Sequence, residues 1–394
     1  MNKKIGFSTV LIFMSLSLVV FCIAQKIETV NGARIIHNEK KGKWGDNPEV
    51  SLRLVQTIGG INTLDENLAF NTPSDIVLDD AGKMYILDAG NCRIQKFDPE
   101  GKYLDSFGRE GQGPGEFNSP SSLDIDAEGN LIVADWRSRK IQIFSKEGSL
   151  QKTIMMTKTP LGRVYALHSG LLATRGTIGY NIEGKENEPL SKLIRLLDSE
   201  GNIQSEFGEM FDYKHRMLNQ RGNVFNFVVD QNDFIYLTFS YQNRIEKYSP
   251  EGKLLWKADR VLNYTTKPLD KGKIEKTATR TSYQSPRMNS VSTGLAVDNK
   301  GRTWVVTFKR QIKKEEEVYT AVRGTPAGVT REVKGNTDLQ ETDMYALEIF
   351  DTDGVLLGEI PLSHFVDEIY IKNDSLFLLD KMRGVKYYQY KIVD

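Results

Sequence analysis

Four histidines, His37, His168, His215 and His364, are the first residues of this 394-residue chain whose type suggests metal chemistry. A centre built on three of them would need all three within about 2 Å of one ion. His168 lies at the end of a predicted first strand of a repeat, whereas His364 precedes the first strand of another repeat. These two positions are separated by a strand length of about 17 Å, so one ion cannot contact both. We therefore predict no three-histidine metal site.

The acidic stretch Asp124–Asn130 and the following Asp135 have a spacing that resembles a calcium-binding loop. The corresponding stretches of sibling repeats read DDAGK and DNKG. A tight turn that needs Asp and Gly explains all these copies at once. Gly111, Gly113 and Gly115 precede no predicted helix, so they do not form a phosphate-binding loop. The sequence predicts neither a metal ion nor a cofactor.

No catalytic residue can be assigned, because the sequence offers no Ser–His–Asp or Cys–His arrangement. Cys92 lies inside a repeat motif, where we expect it to pack in a turn. The 52 basic and 52 acidic residues give a formal net charge of zero. This balance provides no electrostatic reason to bind nucleic acid.

The elements that would position a site come from an internal repeat. Residues 73–108 and 120–154 align as copies of four short strands, here called a, b, c and d, separated by turns with Gly, Asp and Pro. Weaker copies follow, and six a–b–c sets can be counted. The later copies begin near Val164, Asn226, Thr293 and Val366.

The sixth copy lacks a d strand, while residues 51–59 resemble a d strand without a repeat of its own. Pairing these two chain ends would remove an exposed sheet edge. We therefore predict an all-β fold, a six-bladed β-propeller with four-stranded antiparallel blades, closed by the N-terminal strand completing the last blade. An open array and a β-sandwich are the alternatives.

Two stretches carry a resemblance to a known family. Residues 88–101, DAGNCRIQKFDPEG, and the linker at residues 107–120 resemble the NHL repeat and its inter-repeat linker. As a whole the chain resembles exported bacterial six-bladed propellers of NHL or TolB-like type. The resemblance implies the fold and no particular reaction. Some relatives are metal-dependent lyases that use several histidines. Others are lactonase-like and use carboxylate and asparagine ligands, which Asp367, Glu368 and Asn223 would have to supply here, and no motif supports this.

Residues 1–24 are interpreted as an export signal, because Lys3 and Lys4 precede an uncharged stretch at residues 5–24. An uncleaved membrane anchor through residues 5–24 and a lipid on Cys22 are the alternatives. Only these alternatives would bring a membrane contact. We expect an exported protein, periplasmic or secreted, with residues 25–50 as an N-terminal extension and residues 51–394 as a single propeller domain.

The predicted strand order places all long segments on one face of the ring, which we call the long-loop face. They are residues 174–192, 209–222, 257–290 and 308–343. The opposite face carries only tight a–b and c–d turns. Long loops in a compact domain are usually functional or disordered, so we expect ligands at the long-loop face. Residues 308–343 are interpreted as a lid, a projecting hairpin or a disordered loop.

Polar and aromatic residues near this face are the candidate ligand-binding residues, since flat rings can stack on sugars or peptide side chains. They are Asn71, Asn118, Trp136, Arg137, Tyr180, Arg221, Asn223, Tyr241, Arg287, Asn289, His364 and Arg383. Individually, each is better explained by turn capping or loop packing, and as a set they mark the mouth of the channel. The basic residues of 257–290 would suit an anionic ligand, or they form a solvated face.

The preferred functional interpretation is a binding or scaffold module for a peptide, glycan or partner protein outside the cytoplasm. A metal-dependent lyase or a lactonase or other hydrolase at the same channel mouth is the alternative. A purely structural subunit of an envelope complex is the third hypothesis.

Overall fold

The computed structural model describes residues 26–61, 63–156, 161–176, 190–277, 281–325 and 328–394. In this part of the chain there is one α-helix, α1 (Arg216–Gly222), and none of the helices is long and apolar enough to cross a membrane. Short 3₁₀ turns lie at Ala89–Asn91 and Lys314–Glu316. The strands of the first half are β1 (Lys26–Val30), β2 (Ala33–His37), β3 (Ser51–Gly59), β4 (Pro73–Leu78), β5 (Met84–Asp88), β6 (Arg93–Phe97), β7 (Tyr103–Phe107), β8 (Pro120–Ile125), β9 (Leu131–Asp135), β10 (Lys140–Phe144), β11 (Leu150–Met155), β12 (Val164–Ala166), β13 (Leu172–Arg175), β14 (Lys192–Leu197) and β15 (Ile203–Glu209). Those of the second half are β16 (Phe225–Val229), β17 (Ile235–Phe239), β18 (Ile245–Tyr248), β19 (Leu254–Asp259), β20 (Lys273–Lys276), β21 (Thr281–Gln284), β22 (Ser292–Val297), β23 (Thr303–Phe308), β24 (Val318–Thr325), β25 (Gly328–Gly335), β26 (Glu341–Phe350), β27 (Leu356–His364), β28 (Glu368–Lys372), β29 (Ser375–Asp380) and β30 (Lys386–Val393).

These strands form six antiparallel blades around a central channel, which confirms the predicted fold. Blades 1 to 4 are β4–β7, β8–β11, β12–β15 and β16–β19, blade 5 is β22, β23, β26 and β27, and blade 6 is β28–β30 with β3. Strand β3 pairs along β30 from Ser51 opposite Val393 to Gly59 opposite Lys386. The N-terminal strand therefore supplies the missing outer strand of the last blade, as the sequence predicts.

The hydrophobic core is divided into six clusters, and each lies between two neighbouring blades. The second strand of a blade is covered on both faces, so Met84–Asp88, Leu131–Asp135 and Ile235–Phe239 are buried throughout. Closure of the ring creates the cluster between blades 6 and 1, in which Ile58 packs with Phe97. Without closure, both blades would expose that face.

The acidic turns are explained by hydrogen bonding along the chain. Asp79 Oδ1 accepts hydrogen bonds from the N–H groups of Ala81 and Lys83, and Asp126 Oδ1 accepts one from Asn130. A side chain that binds its own turn favours this conformation. The stretch that resembles a calcium loop is therefore one copy of a repeated β-turn.

The N-terminal segment has a second role that the sequence did not predict. Strands β1 and β2 form a hairpin that extends blade 4, where β2 pairs in parallel with β19. The chain then crosses the outer strand of blade 5, where the N–H groups of Lys43 and Trp44 donate to the carbonyls of Leu356 and Leu357. One segment, residues 26–59, thus contacts the outer strands of blades 4, 5 and 6.

The long segments leave the ring on the long-loop face, as expected from the strand order. Helix α1 lies between blades 3 and 4, the hairpin β20–β21 lies between blades 4 and 5, and the hairpin β24–β25 interrupts blade 5. The 308–343 insertion therefore contains a regular hairpin. Most of the insertion in blade 3 lies outside the described residues.

We predict that Ile58→Ala lowers the free energy of unfolding by about 2–4 kcal/mol, because it leaves a cavity between blades 6 and 1. The side chain of Ile58 is 2 % exposed, and that of Leu54 on the same strand is 53 % exposed. Leu54→Ala is the matched control and should cost less than about 0.5 kcal/mol. Urea unfolding followed by circular dichroism measures both, and an early separate transition of blade 6 would contradict a jointly stabilised ring.

Asn38 gives a second stability prediction. Its Nδ2 donates to the carbonyls of Asp259 and Gly354 at 3.0 Å each, and its Oδ1 accepts from the N–H of Leu356 at 2.7 Å. Asn38→Ala removes these three side-chain hydrogen bonds, although the carbonyl of Asp259 still accepts from the N–H of residue 38, and it should cost about 2–4 kcal/mol in thermal or urea unfolding. The exposed Asn47→Ala should cost little, and equal effects of the two variants would show that the bridge is unimportant.

Candidate functional site

The central channel contains a cavity of about 540 Å³ to which every blade contributes. Its wall is formed mostly by the innermost strands β4, β8, β12, β16, β22 and β28 and by the a–b turns of blades 3 to 6. The cavity therefore lies at the end of the channel that carries the short turns, opposite the long-loop face. Its volume is in the usual range for small-molecule sites.

The polarity of this wall follows from the free edges of the innermost strands. Each of these strands pairs with a neighbour on one edge only, so its other N–H groups need different partners. Asp75 Oδ2 accepts a hydrogen bond from the N–H of Leu123 in the next blade at 3.1 Å. Asp124 Oδ2 accepts one from the N–H of Ala166 in blade 3 at 2.7 Å. Both carboxyl groups are therefore held in place by backbone of the following blade.

Other polar side chains make the same kind of contact around the ring. Ser122 Oγ accepts from the N–H of Val164 at 3.1 Å, and Tyr370 Oη accepts from the N–H of Leu78 at 3.3 Å. These contacts connect blade 2 to blade 3 and blade 6 to blade 1. The inner wall is thus a series of side-chain bridges between consecutive blades.

Bulges near the beginning of three innermost strands help to aim these side chains. The pairing register shifts between Pro73 and Asp75 in β4 and between Pro120 and Ser122 in β8. Strand β22 has a similar shift after Ser292. Such a bulge inserts one residue and changes which side chains point to each face, and bulges are frequent beside sites.

Arg163 spans the channel and forms the floor of the cavity. Its Nη2 lies 2.6 Å from Glu368 Oε2 and 3.7 Å from Asp75 Oδ2, and its Nη1 donates to the hydroxyl of Tyr165 at 3.1 Å. Blades 3 and 6 face each other across a six-bladed ring, so the Arg163–Glu368 ion pair crosses the channel axis. The Arg163 side chain is only 19 % exposed, and this burial strengthens the attraction between the charges.

Burial controls the protonation of the carboxyl groups near this floor. It raises the pKa of Asp124 to about 7, and the hydrogen bonds from Ala166 and Ile125 offset this only in part. Burial also raises the pKa of Asp75, although the guanidinium of Arg163 lowers it. On the long-loop side, burial raises the pKa of Asp367 to about 6. Asp124 therefore titrates near neutral pH.

A second, very small cavity lies between blades 6 and 1. It has a volume of about 10 Å³ and is lined by Asp75, Glu368 and Tyr387, among others. The Tyr387 side chain is 2 % exposed, and its hydroxyl has no hydrogen-bond partner among the described residues. This space is just large enough for one water molecule.

Three lysines, Lys247, Lys300 and Lys372, line the outer part of the main cavity. Lys300 Nζ lies 2.7 Å from the Asp394 carboxylate, and Lys372 Nζ lies 3.8 Å from that of Asp80. Lys247 lies over aromatic rings, and burial lowers its pKa. The positive charge of Lys300 and Lys372 is thus partly compensated.

The sequence-predicted residues of blades 1 and 2 lie at the long-loop ends of their blades. The N–H groups of Asn71 and Asn118 donate to the buried carboxylates of Asp88 and Asp135 at 2.7 and 2.6 Å. These asparagines therefore belong to the connections between blades.

The aromatic candidates of the b–c loops differ in exposure. Trp136 is 53 % exposed, and Arg137 beside it is also exposed. Tyr180 lies outside the described residues. The exposed ring of Trp136 is available for stacking on a partner.

In blade 4, three predicted residues come together. The guanidinium of Arg221 lies 4.2 Å from the ring centroid of Tyr241. Asn223 is fully buried and exchanges hydrogen bonds with the backbone of Phe211. This group lies at the base of the segment that contains α1, where Asn223 holds the loop.

Arg287 and Asn289 bind within their own loop. Arg287 Nε contacts the Asp270 carboxylate at 2.6 Å, and Asn289 Nδ2 donates to the carbonyl of Thr265 at 2.9 Å. Both contacts shape the connection between blades 4 and 5.

His364 lies away from the channel, at the outer end of β27. Its ring is stacked on Tyr388 with centroids 3.9 Å apart, and its Nε2 lies 2.9 Å from the hydroxyl of Tyr390. Burial lowers the pKa of His364. The Arg383 guanidinium lies 3.4 Å from the ring centroid of Phe365 and contacts the carbonyl of Glu316. The twelve predicted residues therefore form several separate groups.

The residues that line the cavity were mostly missed by the sequence analysis. Asp75, Arg163, Tyr165 and Tyr370 were not singled out at all, whereas Asp124, His168 and the adjacent Glu368 had been considered only as metal ligands. A signal was present, because Asp75 and Asp124 are charged residues inside strands that are otherwise largely buried. Among the described residues, no group of three or more His, Cys, Asp or Glu side chains is arranged to hold a metal ion.

The family model of a 6-bladed β-propeller, DUF5128, matches residues 60–285. No curated protein matches the sequence. Among solved structures, a member of the DUF4221 family from Bacteroides vulgatus is similar with a TM-score of 0.58 and 12 % identity, over 88 % of this chain and 99 % of that chain.

A Bacteroides fragilis protein described as exported is similar with a TM-score of 0.54 and 10 % identity, over 91 % of this chain and 100 % of that chain. At such identities the likeness to both structures concerns the fold alone. Virginiamycin B lyase from Staphylococcus aureus is more distant, with a TM-score of 0.44 and 13 % identity over 88 % of this chain and 100 % of that chain. A similarity this low says nothing about the activity of the present chain.

The raised pKa of Asp124 predicts a pH-dependent effect of Asp124→Asn. A carboxyl group with a pKa of about 7 in the folded state and about 4 in the unfolded state binds more protons when folded. The stability of the wild type should therefore fall as the pH rises from about 4 to 7. Asparagine keeps a side-chain oxygen that can accept from the N–H of Ala166, and it has no carboxyl group whose ionisation would destabilise the fold.

We expect Asp124→Asn to raise the free energy of unfolding at about pH 8, on the order of 2 kcal/mol, with little change at about pH 4. Urea unfolding at both values measures the difference. The exposed Asp105→Asn is the control. A loss of stability at pH 8 would show that the ionised carboxylate is favourable in the folded ring.

Proposed function

The chain belongs to the DUF5128 family of 6-bladed β-propellers, and from this premise we propose that it is an exported binding module whose ligand is held in the central channel. The observation that carries the proposal is the cavity of about 540 Å³ that all six blades line. A small peptide or glycan segment fits this size and the polarity of the wall.

The composition of the wall supports a polar ligand. Tyr165 and Tyr370 supply aromatic surface, and Asn232, Asn299 and Asn373 supply amide donors and acceptors around the mouth. Mixed aromatic and hydrogen-bonding surface is typical of sites for sugars and peptides. Because the wall is held by bridges between blades, little order would have to be created on binding.

The long-loop face is a second contact surface in this proposal, suited to a partner protein. Its support is the concentration of α1 and the hairpins β20–β21 and β24–β25 on that side. Loops on a rigid scaffold are frequent sites of recognition. The exposed Trp136 offers a flat apolar contact there.

An enzymatic role is the second candidate, and one observation favours it. The pKa of Asp124, raised to about 7 by burial, is suited to general acid–base catalysis near neutral pH. Asp124 also lines the cavity beside Tyr165 and Arg163. A lyase or a hydrolase acting in the channel would use Asp124 in this way.

Export is the part of the proposal that rests on the N-terminal sequence pattern. Two lysines followed by the uncharged residues 5–24 support it. The Bacteroides fragilis protein of similar fold is described as exported. Cell fractionation with an antibody against the mature chain tests this part separately.

The binding proposal is tested by screening the purified chain against peptide and glycan arrays, with hits confirmed by calorimetry. We expect Ala166→Phe, which fills the cavity from its wall, to weaken binding of a channel ligand by at least about tenfold. Ala127→Phe on an exposed turn of blade 2 is the matched control and should bind like the wild type.

A third variant distinguishes a ligand site in the channel from one on the long-loop face. Replacement of residues 318–335, the hairpin β24–β25, by a short Gly–Ser linker should leave channel binding unchanged. If this replacement abolishes binding while Ala166→Phe does not, the ligand site lies on the long-loop face. Turnover of a bound ligand that is lost in Asp124→Asn would favour the enzymatic candidate.

A further inference from the structure

We infer that the channel ligand carries an ammonium group, which Asp124 and Asp75 bind at the floor of the cavity. This inference rests on the proposed function, because it names the chemistry of the ligand for the same cavity. Ammonium groups occur at peptide N-termini, on lysine side chains and in polyamines.

The charges at the floor are unbalanced. Arg163 is the cation there, and Glu368 already binds it at 2.6 Å, whereas Asp75 lies 3.7 Å away. Asp124 forms no ion pair with any of the described residues, although it lines the cavity beside Arg163. The floor therefore contains more carboxyl groups than cations, and a cationic ligand would supply the missing charge.

The rest of the cavity wall does not supply a positive counter-ion for Asp124. Lys300 and Lys372 near the mouth have carboxylate partners of their own in Asp394 and Asp80. Lys247 lies over the ring of Phe234. The lysines are therefore not counter-ions for Asp124, and they would repel an ammonium group that stopped at the mouth.

The carboxylates nearer the mouth are also occupied. Asp230 Oδ1 accepts from the N–H groups of its own turn, and its Oδ2 accepts from the hydroxyl of Tyr236. Asp298 Oδ2 accepts from Arg302 and from the indole N–H of Trp304. Among the carboxyl groups of the wall, Asp124 is thus the better positioned to receive a cation, and Asp75, which already faces Arg163, adds negative charge beside it.

Aromatic side chains and a buried hydroxyl support the same position. Tyr165 and Tyr370 line the cavity with Asp124, and aromatic rings attract ammonium groups. The Tyr387 hydroxyl is buried without a partner among the described residues and lines the small cavity that contains Asp75 and Glu368. It can donate through one water to these carboxylates and so favour their ionised form.

Binding of an ammonium group should be linked to pH through Asp124. The titratable groups around its carboxyl are Asp75 of blade 1, Arg163 and Tyr165 of blade 3, and Tyr370 and Glu368 of blade 6. An ammonium ligand favours the ionised carboxylate, so binding near neutral pH should release protons. The affinity should increase as the pH rises from about 5 to 7, below the range in which a peptide α-ammonium group loses its own proton.

The experiment is titration calorimetry of the full chain with four probes. Nα-acetyl-lysine amide presents a side-chain ammonium, glycylglycine amide presents a peptide N-terminus, and spermidine is a polyamine. Nα,Nε-diacetyl-lysine amide is the neutral control of the first probe. We expect at least one ammonium probe to bind, and the best of the three identifies the source of the group. Acetylation of its ammonium should weaken binding by about tenfold or more.

Variants locate the contact. Asp124→Asn should weaken the best probe by about tenfold and abolish proton release in buffers of different ionisation enthalpy. Asp105→Asn on the exposed face of blade 1 should change neither quantity. Ala166→Phe should block the probe if the contact is in the cavity.

The inference is overturned if none of the ammonium probes binds, or if the diacetylated probe binds as tightly as its parent. These comparisons use the wild type, so they do not depend on the folding of any variant. If neutral peptides or glycans bind and Ala166→Phe blocks them, the channel function stands and the ammonium assignment is wrong. If Ala166→Phe blocks nothing that binds, the channel function itself fails.

Discussion

The free inner edges of the six innermost strands are the constraint on which the rest of this ring depends. A strand beside the channel can pair on one side only, and its remaining N–H groups need partners that water supplies poorly in a narrow space. The chain meets this need with side chains of the preceding blade, as when Asp75 and Asp124 accept hydrogen bonds from Leu123 and Ala166. The polar channel is therefore a consequence of how the blades are joined.

The outermost strands also have a free edge with unpaired backbone groups, and in blades 4 and 6 this edge is covered by further strands. Strand β3 covers the outer edge of blade 6, and the hairpin β1–β2 covers that of blade 4. Between them, Asn38 binds backbone groups of both blade 4 and blade 5. Three consecutive blades are thus connected by one N-terminal segment, in addition to the cores between neighbours. The stability of blades 4 to 6, and of blade 1 through Ile58, should depend more strongly on residues 26–59 than that of blades 2 and 3.

The fold could be predicted from the sequence, and the site could not, for physical reasons that particular residues make clear. Turn residues such as Asp79 and Gly82 repeat because each blade needs the same local geometry, and repetition is visible in a sequence. The spare strand at residues 51–59 was visible for the same reason. In contrast, the Arg163–Glu368 ion pair joins blades on opposite sides of the ring and leaves no local pattern. The hairpin β1–β2 was likewise not predicted, because its parallel pairing with β19 depends on the closed ring. We expected a site on the long-loop face because the long loops lie there, whereas the cavity is lined mostly by the innermost strands.

Joining the blades requires hydrogen-bond acceptors on the inner wall, but it does not require that these acceptors be ionisable carboxyl groups. Ser122 accepts from the N–H of Val164 with a neutral hydroxyl, and this contact is as short as that of Asp75 with Leu123. An asparagine at position 124 would offer the same acceptor without the cost of burying an ionisable group, whereas at position 75 it would remove a charge that faces Arg163. Burial raises the pKa of Asp124 to about 7, so the hydrogen bond to Ala166 does not offset desolvation. A neutral residue would therefore give a more stable ring above neutral pH, and the proposed ligand binding would account for an ionisable carboxyl at this position. A charge that the ring leaves without a counter-ion is what a cationic ligand, or a proton in transfer, would use.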